Sequence, residues 1–310
     1  MKPIHYGALS MLGMAWGASF LFINVAAPDF GPFLLMFLRV AVAGLVMLGM
    51  AMLKKRPSTI RQTLQLRQKW HNYLIVGLLN CALPFPLVAY AELKVTASLA
   101  AILISTMPLF TAVIAAVWGS EQLNGRKLWG MLLGIMGVVV LVGSGPLALR
   151  LDVIVAIFAL LLASFSYAAA TVYAKKHLSH LPSALAASVQ MLSAALLLLL
   201  PAIGSVPAER PSLTAIINLS ALILLSTILA YLLYFFLLRE VGSTRTASVT
   251  FLIPLFATIL AIVFLHEPFD ISLFLGMAII LASIRLVNGK QTSEQAILDP
   301  RCYETAEKVI

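Results

Sequence analysis

Charged side chains are scarce in this chain of 310 residues, where lysine, arginine, aspartate and glutamate together make up 11% of the total. Soluble globular chains carry about 25% charged residues. Hydrophobic residues make up 61% of the chain, and the two figures together exclude most classes of soluble enzyme. The composition is typical of a protein embedded in a lipid bilayer.

Residues that bind metals, form disulfides or perform catalysis are few or badly spaced. The two cysteines, Cys81 and Cys302, cannot form a disulfide framework or a metal site. The five histidines show no metal-ligand spacing, and no glycine-rich phosphate loop is present. A Gly-Ser-Gly turn around Ser144 has no histidine within a hydrophobic run to activate it. The sequence therefore predicts no cofactor, no metal and no enzymatic activity.

Long hydrophobic runs occupy most of the chain. Each is near the length of about 20 residues that a membrane-spanning helix needs, and none alternates as the wall of a barrel would. The fold class that we predict is an all-α integral membrane protein with ten transmembrane helices. No removable signal precedes the first run, so we expect that run to remain as a helix. The ten runs are Tyr6–Val25, Phe33–Leu53, Tyr73–Ala91, Ser98–Trp118, Leu128–Ser144, Val153–Tyr173, Ala184–Gly204, Leu213–Leu238, Ala247–Leu265 and Ile271–Val287.

The distribution of basic residues predicts the orientation. The chain has 21 basic and 12 acidic residues. A net charge of +9 would suggest nucleic-acid binding in a soluble protein, but in a membrane protein excess basic residues mark cytoplasmic loops. With ten crossings, 17 of the basic residues fall on the side of the two termini and three on the other. We therefore expect both termini in the cytoplasm and no nucleic-acid partner. We interpret Lys54–Asn72 as a solvated basic loop, with a surface helix as the alternative.

A repeat at an offset of 146 residues divides the chain into two halves. Pro108 and Glu121 recur as Pro254 and Glu267, and a glycine follows each glutamate after nine residues. Five helices per half is an odd number, so the second half enters the membrane inverted. Inverted repeats are the architecture of secondary transporters, while chance recurrence of proline and glycine is the alternative. The predicted units are a five-helix repeat at residues 1–147, a second at 148–289, and a cytoplasmic tail, 290–310, that we expect to be disordered.

These features resemble a known family. Residues Trp16 to Phe20 (Trp-Gly-Ala-Ser-Phe), Arg39 in the second run, and the blocks Pro108–Glu121 and Pro254–Glu267 are similar to the ten-helix EamA-type members of the drug/metabolite transporter superfamily. The resemblance covers nearly the whole chain. It implies a bacterial inner-membrane carrier with a substrate cavity between its halves, and it leaves the cargo open among amino acids, other metabolites and drugs.

Polar and aromatic residues inside the runs are the candidates for lining a substrate path, because lipid exposure of such side chains costs free energy. Each also has a structural explanation: a serine or threonine often bonds to its own helix, and an aromatic residue often lies at the membrane interface. Trp16 and Tyr167 occupy similar places in the first helix of each half. The candidates are Trp16, Ser19, Asn24, Asn80, Tyr90, Tyr167, Thr171 and Tyr231.

Arg39 is an ionisable residue well inside a run, about two turns from the end of the second helix. It could hold an anionic group of the cargo or form a gating ion pair with Glu92. A structural brace on helix-end carbonyls is the alternative, and we favour it slightly. Pro108 and Pro254 each remove a backbone donor, so each is a candidate hinge or a static bend.

No carboxylate lies near the middle of a run, and those closest to the runs fall at or near their ends. A central acid that could bind a cationic drug is absent, so we expect neutral or zwitterionic metabolites such as amino acids. The predicted function is secondary transport of small molecules, as an exporter, by alternating access. A multidrug efflux carrier and a channel-like pore are the alternatives. Proton coupling stays open, and we expect a monomer, with a dimer as the alternative.

Overall fold

The computed structural model describes residues 2–54, 66–118, 125–143, 150–178, 181–246, 248–268 and 270–288. Every regular element within these ranges is a helix. The predicted disordered tail and Glu121 lie outside the described residues. Most of the segment interpreted as a basic loop, 55–65, also lies outside them.

The described ranges contain ten main helical elements. Two of them, α3 and α8, contain a π-helical turn, and α4 consists of two segments. A short helix, Ser243–Thr246, precedes α9. The elements are α1 (Pro3–Phe30), α2 (Pro32–Lys54), α3 (Leu66–Gly77, Leu78–Ala82 and Pro84–Glu92), α4 (Ala97–Ile104 and Met107–Val117), α5 (Gly125–Gly143), α6 (Leu151–His177), α7 (Ser183–Ile203), α8 (Leu213–Ile223, Leu224–Leu229 and Ala230–Val241), α9 (Val249–Leu265) and α10 (Ile271–Asn288).

The predicted fold class is confirmed. Seven of the described helices are long and apolar enough to cross a membrane, and Val249–Leu265 and Ile271–Val287 are shorter apolar helices. Some bounds differ from the predicted runs. Helix α3 begins at Leu66, seven residues before the run that starts at Tyr73, because its first two turns are polar. A hydrophobic run in the sequence marks only the part of a helix that lies in lipid. The hydrogen-bonded helix can continue beyond the run, so its observed bounds are wider.

The most extensive helix contacts of one half have counterparts in the other half. Helix α2 packs on α7, and α5 packs on α10, so these counterparts contact each other directly. Helix α1 packs on α8 and α9, and its counterpart α6 packs on α3 and α4. A two-fold axis between five-helix halves requires this pattern. Two five-helix halves related in this way are the architecture of inverted repeats.

The π-helical turns fall at equivalent positions in the two halves. They begin at Leu78 and Leu224, 146 residues apart, which is the offset of the sequence repeat. A π turn interrupts the regular hydrogen bonding of an α-helix and is frequent at functional sites. A hydroxyl satisfies a carbonyl within the first turn and one just before the second: Ser166 Oγ donates to Leu79 O at 2.7 Å, and Thr227 Oγ1, in the second turn, donates to Leu222 O at 2.8 Å.

The two repeated prolines have different local structures. Helix α4 breaks at a turn formed by Ser105 and Thr106, and Pro108 lies in the first turn of the following segment, where its missing N–H is not needed. Pro254 lies inside α9, which continues past it. The hinge role of both prolines stays a prediction.

Small residues allow helices from the two halves to approach closely. A Cβ atom on Gly17 of α1 would lie 2.9 Å from Ala257 N and 3.0 Å from Ile253 O of α9. A Cβ atom on Gly77 of α3 would lie 2.8 Å from Gln190 O of α7. These glycines therefore bring α1 and α3 against the opposite half, and the side chains next to them meet at the seam between the halves.

Candidate substrate site

Polar side chains from five helices meet at the seam between the two halves. Five of them form hydrogen bonds with one another, and the sixth, Tyr167, lies next to Phe85, whose ring packs against the Arg39 guanidinium. We call this group the central cluster. Its members are Arg39 of α2, Asn80 of α3, Tyr167 of α6, Gln190 of α7, and Thr227 and Tyr231 of α8.

A chain of hydrogen bonds connects three of these helices. Asn80 Nδ2 donates to Gln190 Oε1 at 3.1 Å, and Gln190 Nε2 donates to the Tyr231 hydroxyl oxygen at 3.1 Å. Asn80 belongs to the π turn of α3, whose altered register places its amide at this point. Because the Tyr231 oxygen accepts this bond, its own hydrogen is left to donate elsewhere.

Arg39 is held in place by groups from both halves. Its Nε donates to Thr227 Oγ1 at 3.0 Å, and its guanidinium carbon lies 4.2 Å from the centre of the Phe85 ring. The Met36 sulfur is a weak acceptor 4.0 Å from Nη1. These contacts fix the plane of the guanidinium. They involve Nε and Nη1, whereas a guanidinium carries five N–H donors in total. The described residues place no carboxylate oxygen within hydrogen-bonding distance of it.

Aromatic rings line the cluster on two sides. Trp16 of α1 meets Tyr231 edge to face, with ring centroids 6.4 Å apart, and lies 5.7 Å from the ring of Tyr234. Phe85 lies 6.2 Å from the ring of Tyr167. Ring faces attract cations and apolar groups, so the site offers both hydrogen-bonding and apolar surfaces.

Several of these side chains remain partly accessible although they face the middle of the bundle. Trp16, Asn80, Tyr167, Gln190 and Tyr231 are all half-buried. Core side chains around them, such as Leu222 and Leu160, are fully buried. Partly accessible polar and aromatic groups surrounded by a closed core are the features of a small-molecule site.

A second group of polar contacts lies near the end of α3. Asn24 Nδ2 donates to the backbone carbonyl of Glu92 at 3.2 Å. The carboxylate of Glu267 accepts hydrogen bonds from Ala97 N at 2.7 Å and Ser98 N at 3.4 Å, at the start of α4. Glu92 itself is 4% exposed, and neither of its carboxyl oxygens has a hydrogen-bond partner among the described residues. The structure therefore does not pair Glu92 with Arg39.

Four of the eight sequence candidates meet at the seam between the halves, and the other four do not. Trp16, Asn80, Tyr167 and Tyr231 come together at the seam with Arg39. Ser19 Oγ donates to Trp16 O at 2.6 Å and Thr171 Oγ1 to Tyr167 O at 2.9 Å, so both bond to their own helix. Asn24 binds near the end of α3, and Tyr90 lies ten residues beyond Asn80, about 15 Å along the helix.

Thr227 and Phe85, which hold the Arg39 side chain, are not among the candidates predicted from the sequence. The repeat offset pairs Thr227 with Cys81, which is not a candidate site residue, so the offset gave no signal for this position. Nothing in the sequence pattern singled out Phe85 among the hydrophobic residues of α3. Within the described ranges no group of three metal-ligating side chains comes together.

Comparison with known proteins places the chain in a group of transporters. The model of the EamA-like transporter family matches residues 5–143 and again 154–289. The uncharacterized transporter YvbV of Bacillus subtilis is 28% identical over 93% of this chain and 92% of its own length. The uncharacterized inner membrane transporter YedA of Escherichia coli K12 is 27% identical over 91% of this chain and 90% of its own.

A solved crystal structure shares the fold. It is 20% identical to this chain, aligns with a TM-score of 0.61, and the match covers 90% of this chain and 96% of the other.

Proposed function

The chain belongs to the EamA-like transporter family, and from this premise we propose that it is a secondary carrier that exports small neutral or zwitterionic metabolites, such as amino acids. The central cluster is the proposed substrate site. The observation that supports this most strongly is the meeting of partly accessible polar and aromatic side chains from both halves at the two π turns. Transport would occur by alternating access, in which the seam opens to one side at a time.

The charge of the site supports the proposed class of cargo. Arg39 places a buried positive charge in the cluster, and the six members of the cluster include no carboxylate. A cationic drug would therefore meet repulsion and find no counter-charge. A zwitterion can place its carboxylate towards Arg39, while its ammonium group faces the rings of Trp16 and Tyr231. A neutral polar molecule can use the hydrogen bonds of Gln190 and Tyr231.

The uneven distribution of basic residues supports a proposed orientation. We place both termini in the cytoplasm of a bacterial cell, with the protein in the inner membrane as a monomer. Glu92 and Glu267 then lie near the outer face. EamA family members are transporters, which favours a carrier over an enzyme.

Export can be tested in bacteria that overproduce the protein. We expect increased tolerance to one or more toxic amino-acid analogues and faster release of the corresponding compound. Trp16→Ala should abolish this phenotype, because it removes the ring that contacts Tyr231 and Tyr234. Trp129→Ala is the matched control, since Trp129 is 70% exposed on the helix surface and should leave export intact. Immunoblots must show equal protein levels.

Tolerance to a panel of amino-acid analogues and dyes, together with recordings of ion current, distinguishes the alternative functions. Tolerance to cationic dyes without tolerance to amino-acid analogues would support a multidrug carrier. Ion currents that do not saturate would support a channel. If the Trp16 variant exports as well as the Trp129 variant, the central cluster is not the substrate site.

A further inference from the structure

Glu92 is a buried acid that the proposed transport site does not use. It ends α3, its side chain is almost fully buried, and both carboxyl oxygens lack a hydrogen-bond partner among the described residues. A negative charge at this point would face the negative end of the α3 dipole. An isolated charge in a low-dielectric interior is costly, and a carboxyl group escapes that cost by binding a proton.

The neighbouring acid, Glu267, is in the opposite situation. Its carboxylate accepts two backbone hydrogen bonds from the first residues of α4, where the helix dipole favours a negative charge. Glu267 belongs to the second half of the chain and α4 to the first, so this contact closes the seam at this end. The seated Glu267 acts electrostatically on Glu92. Two adjacent carboxyl groups do not both ionise readily, and Glu267 has the better partners.

The other charged groups that the described residues place around Glu92 do not neutralise a negative charge on its carboxyl group, so a proton is still needed. Arg39 of α2 acts on Glu92 from a distance, but its Nε is bound to Thr227 and its plane lies on Phe85. The adjoining segment of α4, Ala97–Ile104, has no ionisable side chain. At the start of α6, Asp152 pairs with Arg150 at 3.4 Å. Asn24 of α1 is bound to the backbone of Glu92, and Lys94 in the following turn is exposed.

We propose that Glu92 is a proton-binding site that couples protonation to closure of the seam. When the Glu267 carboxylate is bound to the start of α4, the Glu92 carboxyl group holds a proton that it took from water at this end of the bundle. When the halves separate there, Glu267 leaves, water reaches Glu92, and the proton is released to that water. No other bond forms or breaks. This coupling extends the proposed transport function and rests on it, because the movement is the same alternating access.

Spectroscopy on the purified full-length protein in nanodiscs tests the proposal without any cargo. Exposed carboxyl groups lose their protons near about pH 4, so infrared difference spectra are recorded above that range, where they should show the band of a protonated carboxyl that disappears as the pH rises further. Glu92→Gln should remove this band, whereas Asp152→Asn, which changes a half-buried acid paired with Arg150 at the same end, should retain it. Glu267→Gln removes the competing charge, so the band should disappear at a lower pH than in the unaltered protein.

The movement is measured separately. Spin labels on Lys94→Cys and Ile271→Cys, both at exposed positions on either side of the contact, report the distance between the halves in a background with Cys81→Ser and Cys302→Ser. The short distance should dominate at low pH and lose population as the pH rises. Glu92→Gln should keep the short distance at every pH, and Asp152→Asn should follow the unaltered protein.

Two results would overturn the proposal: no carboxyl band in the unaltered protein that titrates above the pH range of exposed acids, or a Glu92→Gln variant that opens with pH as the unaltered protein does. The infrared measurement on the unaltered protein decides the question even if the variant fails to fold. Export that continues while Glu92 never binds a proton would refute the coupling and leave the transport function standing. A titrating Glu92 in a protein that exports nothing would refute the transport function.

Discussion

Replacing Gly17 with alanine should weaken the contact between α1 and α9, which joins the two halves. The added carbon would lie 2.9 Å from one backbone atom of α9 and 3.0 Å from another. Backbone atoms cannot move aside as a side chain does, so the helices must separate, and overpacking of this kind costs about 1–3 kcal/mol. Alanine is also a better helix former than glycine by about 1 kcal/mol, which offsets part of the loss.

Gly49→Ala isolates the steric cost. Gly49 lies in α2, and a Cβ atom there would meet nothing within 4 Å. This variant gains the helix preference without the clash, so Gly17→Ala should be less stable than Gly49→Ala by about 1–3 kcal/mol. Reversible unfolding in mixed micelles of a mild detergent and SDS measures the free energy of unfolding for both. Equal stability of the two variants would refute the close packing of α1 on α9.

Two further substitutions test the site itself. Tyr231→Phe removes the hydroxyl that accepts a hydrogen bond from Gln190, so transport of the cargo found in the export screen should fall at least several-fold in proteoliposomes, while Tyr6→Phe, at an exposed position, should have no effect. Ser166→Ala leaves a carbonyl of the α3 π turn without its partner and should lower the free energy of unfolding by about 1–3 kcal/mol. Ser220→Ala, at an exposed position where the hydroxyl bonds only to its own helix, should change it by under about 0.5 kcal/mol.

The halves are related by symmetry, but their side chains at the seam differ. The repeat offset pairs Asn80 with Ser226 and Cys81 with Thr227. Asn80 bonds to Gln190, whereas Ser226 Oγ is buried without a partner among the described residues. Thr227 binds Arg39, whereas Cys81 is a buried thiol. A site with unlike groups on its two sides suits a cargo with unlike ends, such as a zwitterion.

The repeat offset in the sequence also predicts equivalent local structure. The spacing between Pro108 and Pro254 is the spacing between the two π turns, although nothing in the composition of Leu78–Ala82 or Leu224–Leu229 indicates a π turn. The equivalence does not extend to the prolines themselves, because Pro108 lies in the first turn of a helical segment whereas Pro254 lies inside a continuous helix. A π turn depends on tertiary partners such as Ser166, which lies 87 residues from Leu79 and carries no local signal.

Candidate site residues were predictable where an aromatic or amide group interrupts an apolar helix. Trp16, Asn80, Tyr167 and Tyr231 stood out for that reason, and the structure brings them together. Serine and threonine residues of the site could not be told from other serines and threonines by sequence alone. Ser19 and Thr171 bond to their own helices, while Thr227 bonds both to its own helix and to Arg39. Only the three-dimensional contact distinguishes these cases, because all of them have the same local chemistry.

Counterflow in proteoliposomes tests alternating access most directly. Vesicles containing the purified protein are preloaded with unlabelled cargo, identified in the export screen, and the entry of labelled cargo is followed. A carrier whose single site faces one side at a time should take up label faster when cargo is present inside, and its rate should saturate with concentration. An entry rate that is indifferent to the internal cargo and rises linearly with concentration would contradict the carrier mechanism.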